Sequence, residues 1–280
     1  MASQYKGKAT LFNIGRSNQG NDIKLIKVGS GGRSKPAIFI DGGIHAREWI
    51  SPATVTFMLK EFLENPDKYS KILSKADIYF LPLANPDGYE FSRSSDRLWR
   101  KNRSHTERGK CAGVDLNRNF GYKWGGKGSS NNQCSETYRG PRPFSEPESR
   151  ALRDFILARK GNIRMYLTFH SYGQMILYPW GYDRVDARDS AELQRMGTVG
   201  ARAMGRSYKV GSAAKVNYEA AGASDDWAKG SAGIKYSYTI ELPDTGRYRF
   251  VLPASRIDRT AREAVRAVQA MAEDLVRNIR

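Results

Sequence analysis

The chain alternates between two kinds of apolar run, and the alternation predicts its architecture. KPAIFIDGG (35–43), ADIYFLPL (76–83), MYLTFHSY (165–172) and YSYTIELPD (236–244) are short and nearly continuously apolar. Runs of this kind read as strands buried on both faces. DIKLIKVG (22–29) alternates instead, as a strand with one wet face does. Between the strands the period becomes helical. After Ser51-Pro52, an N-cap and first-turn pair, Val55, Met58, Leu59, Phe62 and Leu63 fall on one face. FSEPESRALRDFILAR (144–159) predicts a helix opened by a capping box from Ser145 to Glu148. The tail 255–280 predicts a long amphipathic helix with Val265, Val268, Met271, Leu275 and Ile279 inward. Asn85-Pro86-Asp87-Gly88 predicts a turn that stops its strand. No repeat or linker interrupts the series, so one α/β domain is expected over 1–280, its sheet largely buried with helices on both faces. The long stretch 89–143 predicts functional loops.

Composition adds limits. The chain has 280 residues, 40% of them apolar, enough for one large core. No run of apolar residues reaches membrane-spanning length, and the N-terminus MASQYKGKAT shows no signal-peptide core. The formal net charge is +17, concentrated locally in RLWRKNRSHTERGK (97–110). That excess reads either as a solvated basic surface or as a site for an anionic partner. No zinc knuckle, helix-turn-helix signal or aromatic-basic repeat supports nucleic acid. Cys111 and Cys134, the two cysteines, are either free thiols or one bridge across a Gly-, Asn- and Ser-rich loop. A bridge would point to an oxidising compartment.

The three histidines carry the chemistry. His45 follows the strand AIFIDGG and His170 closes MYLTF, and ligands gather at the carboxyl ends of strands in α/β sheets. His105 sits in the charged loop NRSHTER and reads as surface. His45-Ala-Arg-Glu48 is either a polar turn or two ligands brought together by a turn. With His170 it makes His₂Glu, a known catalytic zinc set with one open position. Asp115, in VDLNRNF, is placed to accept a hydrogen bond from a ligating imidazole. Arg47, Arg100 and Arg118 supply fixed cations on neighbouring segments. Glu241, in an otherwise apolar strand, is either half of a buried ion pair or a general base in a dry site.

Taken together, IDGGIHAREWISPA, NPDGYEFS, RLWRKNRS, GVDLNRNF, CSETYRG, HSYGQ, YPWGY, DDWA, GIKYSYTIEL and DTGRYRFVLPAS resemble the zinc metallocarboxypeptidases of the pancreatic A/B type, from about Phe12 to the C-terminus. The resemblance implies a mixed, twisted sheet and one Zn²⁺ per chain held by His45, Glu48 and His170. It implies that Glu241 activates the attacking water and that Arg100 stabilises the oxyanion. It implies that Asn117 and Arg118 grip the substrate's terminal carboxylate and that Tyr218 closes over it. Arg47, Ser171, Tyr172 and Phe250 would line the upstream subsites, and Cys111 and Cys134 would pair. The implied partners are peptide or protein C-termini, the implied setting is extracellular, and a monomer without membrane attachment is expected.

The resemblance implies that the segment AAGASDDWA reads the terminal side chain. Asp225 stands where the B-type enzymes carry an aspartate and the A-type an aliphatic residue, so the resemblance is closest to carboxypeptidase B and implies preference for C-terminal Lys or Arg. A buried carboxylate would penalise an apolar terminus. The rival pairing for Asp225 is Arg249 or Lys229; Glu219 adds negative charge nearby. The alternatives are A-type release of aromatic or aliphatic residues and an inactive zinc- or peptide-binding module. Two departures stand out. MASQYKGKATLFNIGRS is too short and polar for the family's first helix, so the domain reads as lacking that helix and the pro-domain. Pro243 replaces an arginine beside Glu241, where a cis X-Pro bond is expected to be accessible.

Overall fold

The computed structural model describes residues 2–5, 7–29, 35–105, 111–205 and 208–278. Eight strands form one sheet: β1 (Ala9–Arg16), β2 (Asp22–Val28), β3 (Ala37–Gly42), β4 (Asp77–Leu81), β5 (Ile163–Ser171), β6 (Met175–Tyr178), β7 (Lys209–Ser212) and β8 (Tyr236–Leu242). The spatial order is β1-β2-β4-β3-β5-β8-β6-β7. The central strands β4, β3, β5 and β8 run parallel, while β1, β2 and β6 are joined antiparallel. The sheet is therefore mixed, and its parallel centre contains every strand predicted from a continuous apolar run.

Helices cover both faces. α1 (Ile50–Glu64), α2 (Ser70–Leu73), α5 (Ser190–Met204) and α8 (Ile257–Asn278) pack on one side. There Val55, Met58, Phe62, Val268 and Met271 meet Ile38, Ile40 and Leu167 of the sheet. α4 (Pro147–Leu157) and α7 (Ser224–Gly230) cover the other, with Phe39, Tyr166, Phe155 and Trp227 between them and the strands. Burying each such side chain contributes roughly 1.5–3 kcal/mol. Two short helices, α3 (Pro86–Ser94) and α6 (Ala213–Val216), sit in the loops.

Four local expectations need correction. Ser51 does not cap α1, which starts one residue earlier and has no side-chain cap. Its hydroxyl instead donates to Phe169 O and accepts from Gly43 N, locking the turn after β3. Asn85-Pro86-Asp87-Gly88 is the first turn of α3, with Asn85 accepting from Gly88 N as N-cap. Ser145 and Glu148 form no capping box: Ser145 donates to Glu146, and Glu148 accepts from Asn18 N and Asn102. The cis bond beside Glu241 is Pro243-Asp244, the bond after the proline and not the one before it. Ile279 lies outside the described residues; Val265, Val268, Met271 and Leu275 are buried as expected. No helix among the described residues is long and apolar enough to cross a membrane.

Candidate active site

The site lies at the carboxyl ends of β3, β5 and β8. β3 ends at Gly42, and Gly43 takes φ 66°, a left-handed conformation that glycine adopts without penalty. The next residues make a tight turn, Glu48 N donating to His45 O at 3.3 Å and Ser51 N to Glu48 O at 2.9 Å. That turn puts His45 and Glu48 on the same side. His170 on β5 stands beside Glu241 on β8, its register partner.

Three donor groups converge. His45 Nδ1 is 2.8 Å from Glu48 Oε1, His170 Nδ1 is 2.9 Å from Glu48 Oε2, and the two Nδ1 atoms are 3.1 Å apart. Their ligand atoms lie within 4.8 Å of one another, and all three residues are buried. Two imidazoles and one carboxylate suit zinc, whose bonds of about 2.0–2.2 Å bring ligands to about this mutual separation. The outer nitrogens are also held, as ligating histidines require. His45 Nε2 faces Asp115 Oδ1 at 3.2 Å. His170 Nε2 faces Thr168 Oγ1 at 3.1 Å, and Thr168 donates to Asp41 Oδ1 at 2.7 Å. Sequence reasoning missed this Asp41–Thr168 relay; its one signal was an aspartate inside the apolar run AIFIDGG.

Asp115 organises the wall. Arg100 donates to its Oδ2 from Nε at 3.0 Å and Nη2 at 2.9 Å. Burial pushes Asp115 up, but Arg100, Arg118 and His45 outweigh it and hold the carboxyl well below its usual range. Burial and the Arg100 charge lower the His45 pKa, which favours the neutral, ligating imidazole. Burial also works against charge on Glu48, yet the two imidazoles keep it ionised. For His170 the neighbouring carboxylates, Glu48 first, outweigh burial and raise the pKa to about 9. Glu241 is partly exposed, but its Oε2 is buried with no hydrogen-bond partner, and burial pushes its pKa up to about 8.

A cavity of about 40 Å³ opens beside these groups, lined by His45, His170, Glu241, Arg118, Tyr218 and Asp225 among others. Arg118 is anchored by carbonyls, Nε to Gly128 O at 2.8 Å and Nη1 to Asn117 O at 2.9 Å. Asn117 Oδ1 accepts from Ser224 N at the start of α7. Tyr218 is 52% exposed, with Arg118 Cζ 5.9 Å from its ring centroid. Asp225 is buried, and burial raises its pKa. Neither rival cation takes it: Lys229 pairs with Asp189 at 2.9 Å, and Arg249 makes no ion pair with it among the described residues. Asp226 is committed to the backbone N–H groups of Gly181 and Tyr182.

The upstream residues also gather. Tyr172 and Phe250 pack edge to face at 5.1 Å, and Arg47 Cζ lies 4.3 Å from the Phe250 centroid while pairing with Glu136. The Ser171 N–H donates to Glu48 Oε2. Cys111 and Cys134 form a disulfide that closes the Gly-, Asn- and Ser-rich loop between them. His105 is exposed, as expected.

Residues 1–267 match the family model described as zinc carboxypeptidase. The chain is 47% identical over 277 residues to carboxypeptidase B of Astacus astacus, covering 97% of this chain and 91% of that protein. It is 45% identical to carboxypeptidase B of Bos taurus over 91% of this chain and 63% of that longer protein. Carboxypeptidase A1 of Bos taurus is 41% identical over 100% of this chain and 68% of its own length. Among solved structures, bovine thrombin-activatable fibrinolysis inhibitor, in complex with tick carboxypeptidase inhibitor, superimposes with a TM-score of 0.93 at 40% identity. The match covers 99% of this chain and 94% of that one.

Proposed function

The chain belongs to the zinc carboxypeptidase family and is a metallocarboxypeptidase; from that premise we propose that it releases C-terminal lysine or arginine from peptides, extracellularly and as a monomer. The observation that carries the basic preference is Asp225, a buried carboxylate at the cavity wall with no cation paired to it among the described residues. A terminal ammonium or guanidinium would supply the missing counter-ion, with a guanidinium able to bind it bidentately. The carboxypeptidase B relatives support the same reading. The disulfide supports an oxidising compartment.

His45, Glu48 and His170 would hold the zinc. The ion supplies Lewis acidity there, polarising a carbonyl and making water acidic near neutral pH. Arg118, fixed by Gly128 O and Asn117 O, receives the terminal carboxylate together with Asn117, which fixes which peptide bond is presented. Tyr218 covers the substrate from the exposed side. Glu241 takes a proton from the attacking water on its unpartnered Oε2 and passes it to the leaving amine, so proton uptake and return happen at one atom. Arg100, held by Asp115, faces the oxyanion that develops as the carbonyl becomes tetrahedral. A charge preoriented by a buried partner does this without reorganising. Arg47, Tyr172, Ser171 and Phe250 contact the residues upstream.

The test uses two peptides identical except for a C-terminal Arg or Phe, incubated with and without a chelator and followed by mass. Chelator-sensitive loss of Arg with Phe retained is the expected result. Loss of Phe alone would keep the zinc chemistry and discard the Asp225 argument.

A further inference from the structure

Three loops meet outside the Asp225 cavity, and one lysine joins them. The loop 125–128 runs past Arg118, which donates to Gly128 O. The loop 181–183 follows β6. The loop 217–222 carries Tyr218. Backbone bonds tie them at their bases: Ala221 N donates to Lys127 O at 2.9 Å, Ala220 N to Gly181 O at 2.7 Å and Asn217 N to Ala213 O at 3.0 Å. Tyr218 and Glu219 are left at the apex between those bonds. The Lys127 ammonium lies 2.9 Å from Asp183 Oδ1 and 3.3 Å from Glu219 Oε1, bridging the two loops across the mouth. Gly181, Asn217, Tyr218 and Ala220 all line the cavity beneath.

We propose that Lys127 is a positioning residue for substrate capture: its ammonium ties Glu219 to Asp183 and so keeps the adjacent Tyr218 over Arg118 and the pocket mouth. This rests on the reading of that pocket as the seat of the terminal residue. Lys127 touches no substrate; it acts through the backbone of Glu219 on the neighbouring tyrosine. Without the tie, the apex samples positions away from Arg118. The fraction of molecules ready to bind falls, and apparent affinity falls with it. The side chains of Lys127, Asp183 and Glu219 are 61%, 41% and 30% exposed, so water and salt weaken the pairing. Exposed pairs of this kind shift an equilibrium by roughly two- to fivefold.

The alternative is that Lys127 and Glu219 act only as charges near a pocket for basic side chains. The two accounts differ in sign. As bare charges, Lys127→Met lowers KM for a C-terminal Arg peptide by removing repulsion, while Glu219→Gln raises it. As a tie, either substitution raises KM by about two- to fivefold with kcat within twofold. The double variant is then no worse than the single ones, and Lys127→Arg restores the wild-type value. In 1 M NaCl the wild type converges on the variants. The companion measurement is amide hydrogen exchange across 217–222, expected to quicken in Lys127→Met and Glu219→Gln. Opposite-signed, additive KM effects would overturn the proposal, as would unchanged exchange in both variants. A wild type that releases no C-terminal residue would count against the functional reading alone, because exchange still decides whether the tie exists.

Discussion

Replacing Asp225 by asparagine removes one charge and keeps the side chain's size. In the structure this carboxylate is 3% exposed and sits on the wall shared with Thr239 and Glu241. Its neighbour Asp226 is already spent on two backbone N–H groups, so Asp225 is the carboxylate available to a ligand. A substrate guanidinium entering the cavity would then leave water for an asparagine, with no counter-ion. Breaking one side of a buried, hydrogen-bonded charge pair costs about 2–5 kcal/mol. At about 1.4 kcal/mol per tenfold, kcat/KM for an Arg-terminated peptide should fall by roughly 30-fold to several thousand-fold. The same change removes a desolvated charge that opposes apolar side chains, so release of C-terminal Phe or Leu should rise. Initial rates on acylated peptides differing only in the last residue measure both. A fall of less than about threefold for Arg, or a parallel fall for Phe, would refute the pocket argument; the parallel fall would mean Asp225 serves the scaffold.

Other consequences follow from the same geometry. Asp115→Asn removes the negative charge beside buried Arg100 and leaves one accepting oxygen where Arg100 and His45 Nε2 now use two; zinc affinity should drop by about 10- to 100-fold, read by competition with a chromogenic chelator, and an unchanged zinc affinity together with an unchanged thermal midpoint would contradict it. Glu148 is held near pKa 7 by burial, above its ordinary 4.5. Both states are protonated below that ordinary value. As pH rises through the window up to about 7 the unfolded chain releases its proton first, so stability falls, by at most roughly 3 kcal/mol. Glu148→Gln should flatten that slope in denaturant melts between about pH 4.5 and 7.5, whatever its absolute stability, and an unchanged slope would exclude Glu148 as its source. Replacing Cys111 and Cys134 by serine should cost about 3 kcal/mol in the chain-entropy model for their sequence separation of 23; a melt unchanged from wild type would show the loop is held by its other contacts.

The parts of the fold legible in the sequence are those where burial writes a simple pattern. β3, β4, β5 and β8 lie at the parallel centre and read as nearly continuous apolar runs; α1 and α8 carry broad apolar stripes. What escaped depends on contacts distant in sequence. α5 holds Gly197 and Gly200, where a β-carbon would come within 2.7 Å of Val210 and of Met271. Those glycines exist for close packing, and they blunt the helical signal. β6 and β7 are four residues each, too short for periodicity to show. Ser51 and Glu148 have the chemistry of caps, but tertiary partners, Phe169 O and Asn102, took them. The site divides the same way. His45 and Glu48 are legible because one turn brings them together. The joining of Lys127 to Glu219, and of Asp41 to His170 through Thr168, needs the folded chain.

The central claim is that one buried His–Glu–His group binds zinc and that Glu241 works beside it on the proton. The most direct measurement is C-terminal release by Glu241→Gln at a zinc content matched to wild type. The account predicts one zinc per chain in both proteins and a release rate lowered by at least about 100-fold, the low end for losing a general base. A Glu241→Gln protein that holds its zinc and cleaves at the wild-type rate would contradict it.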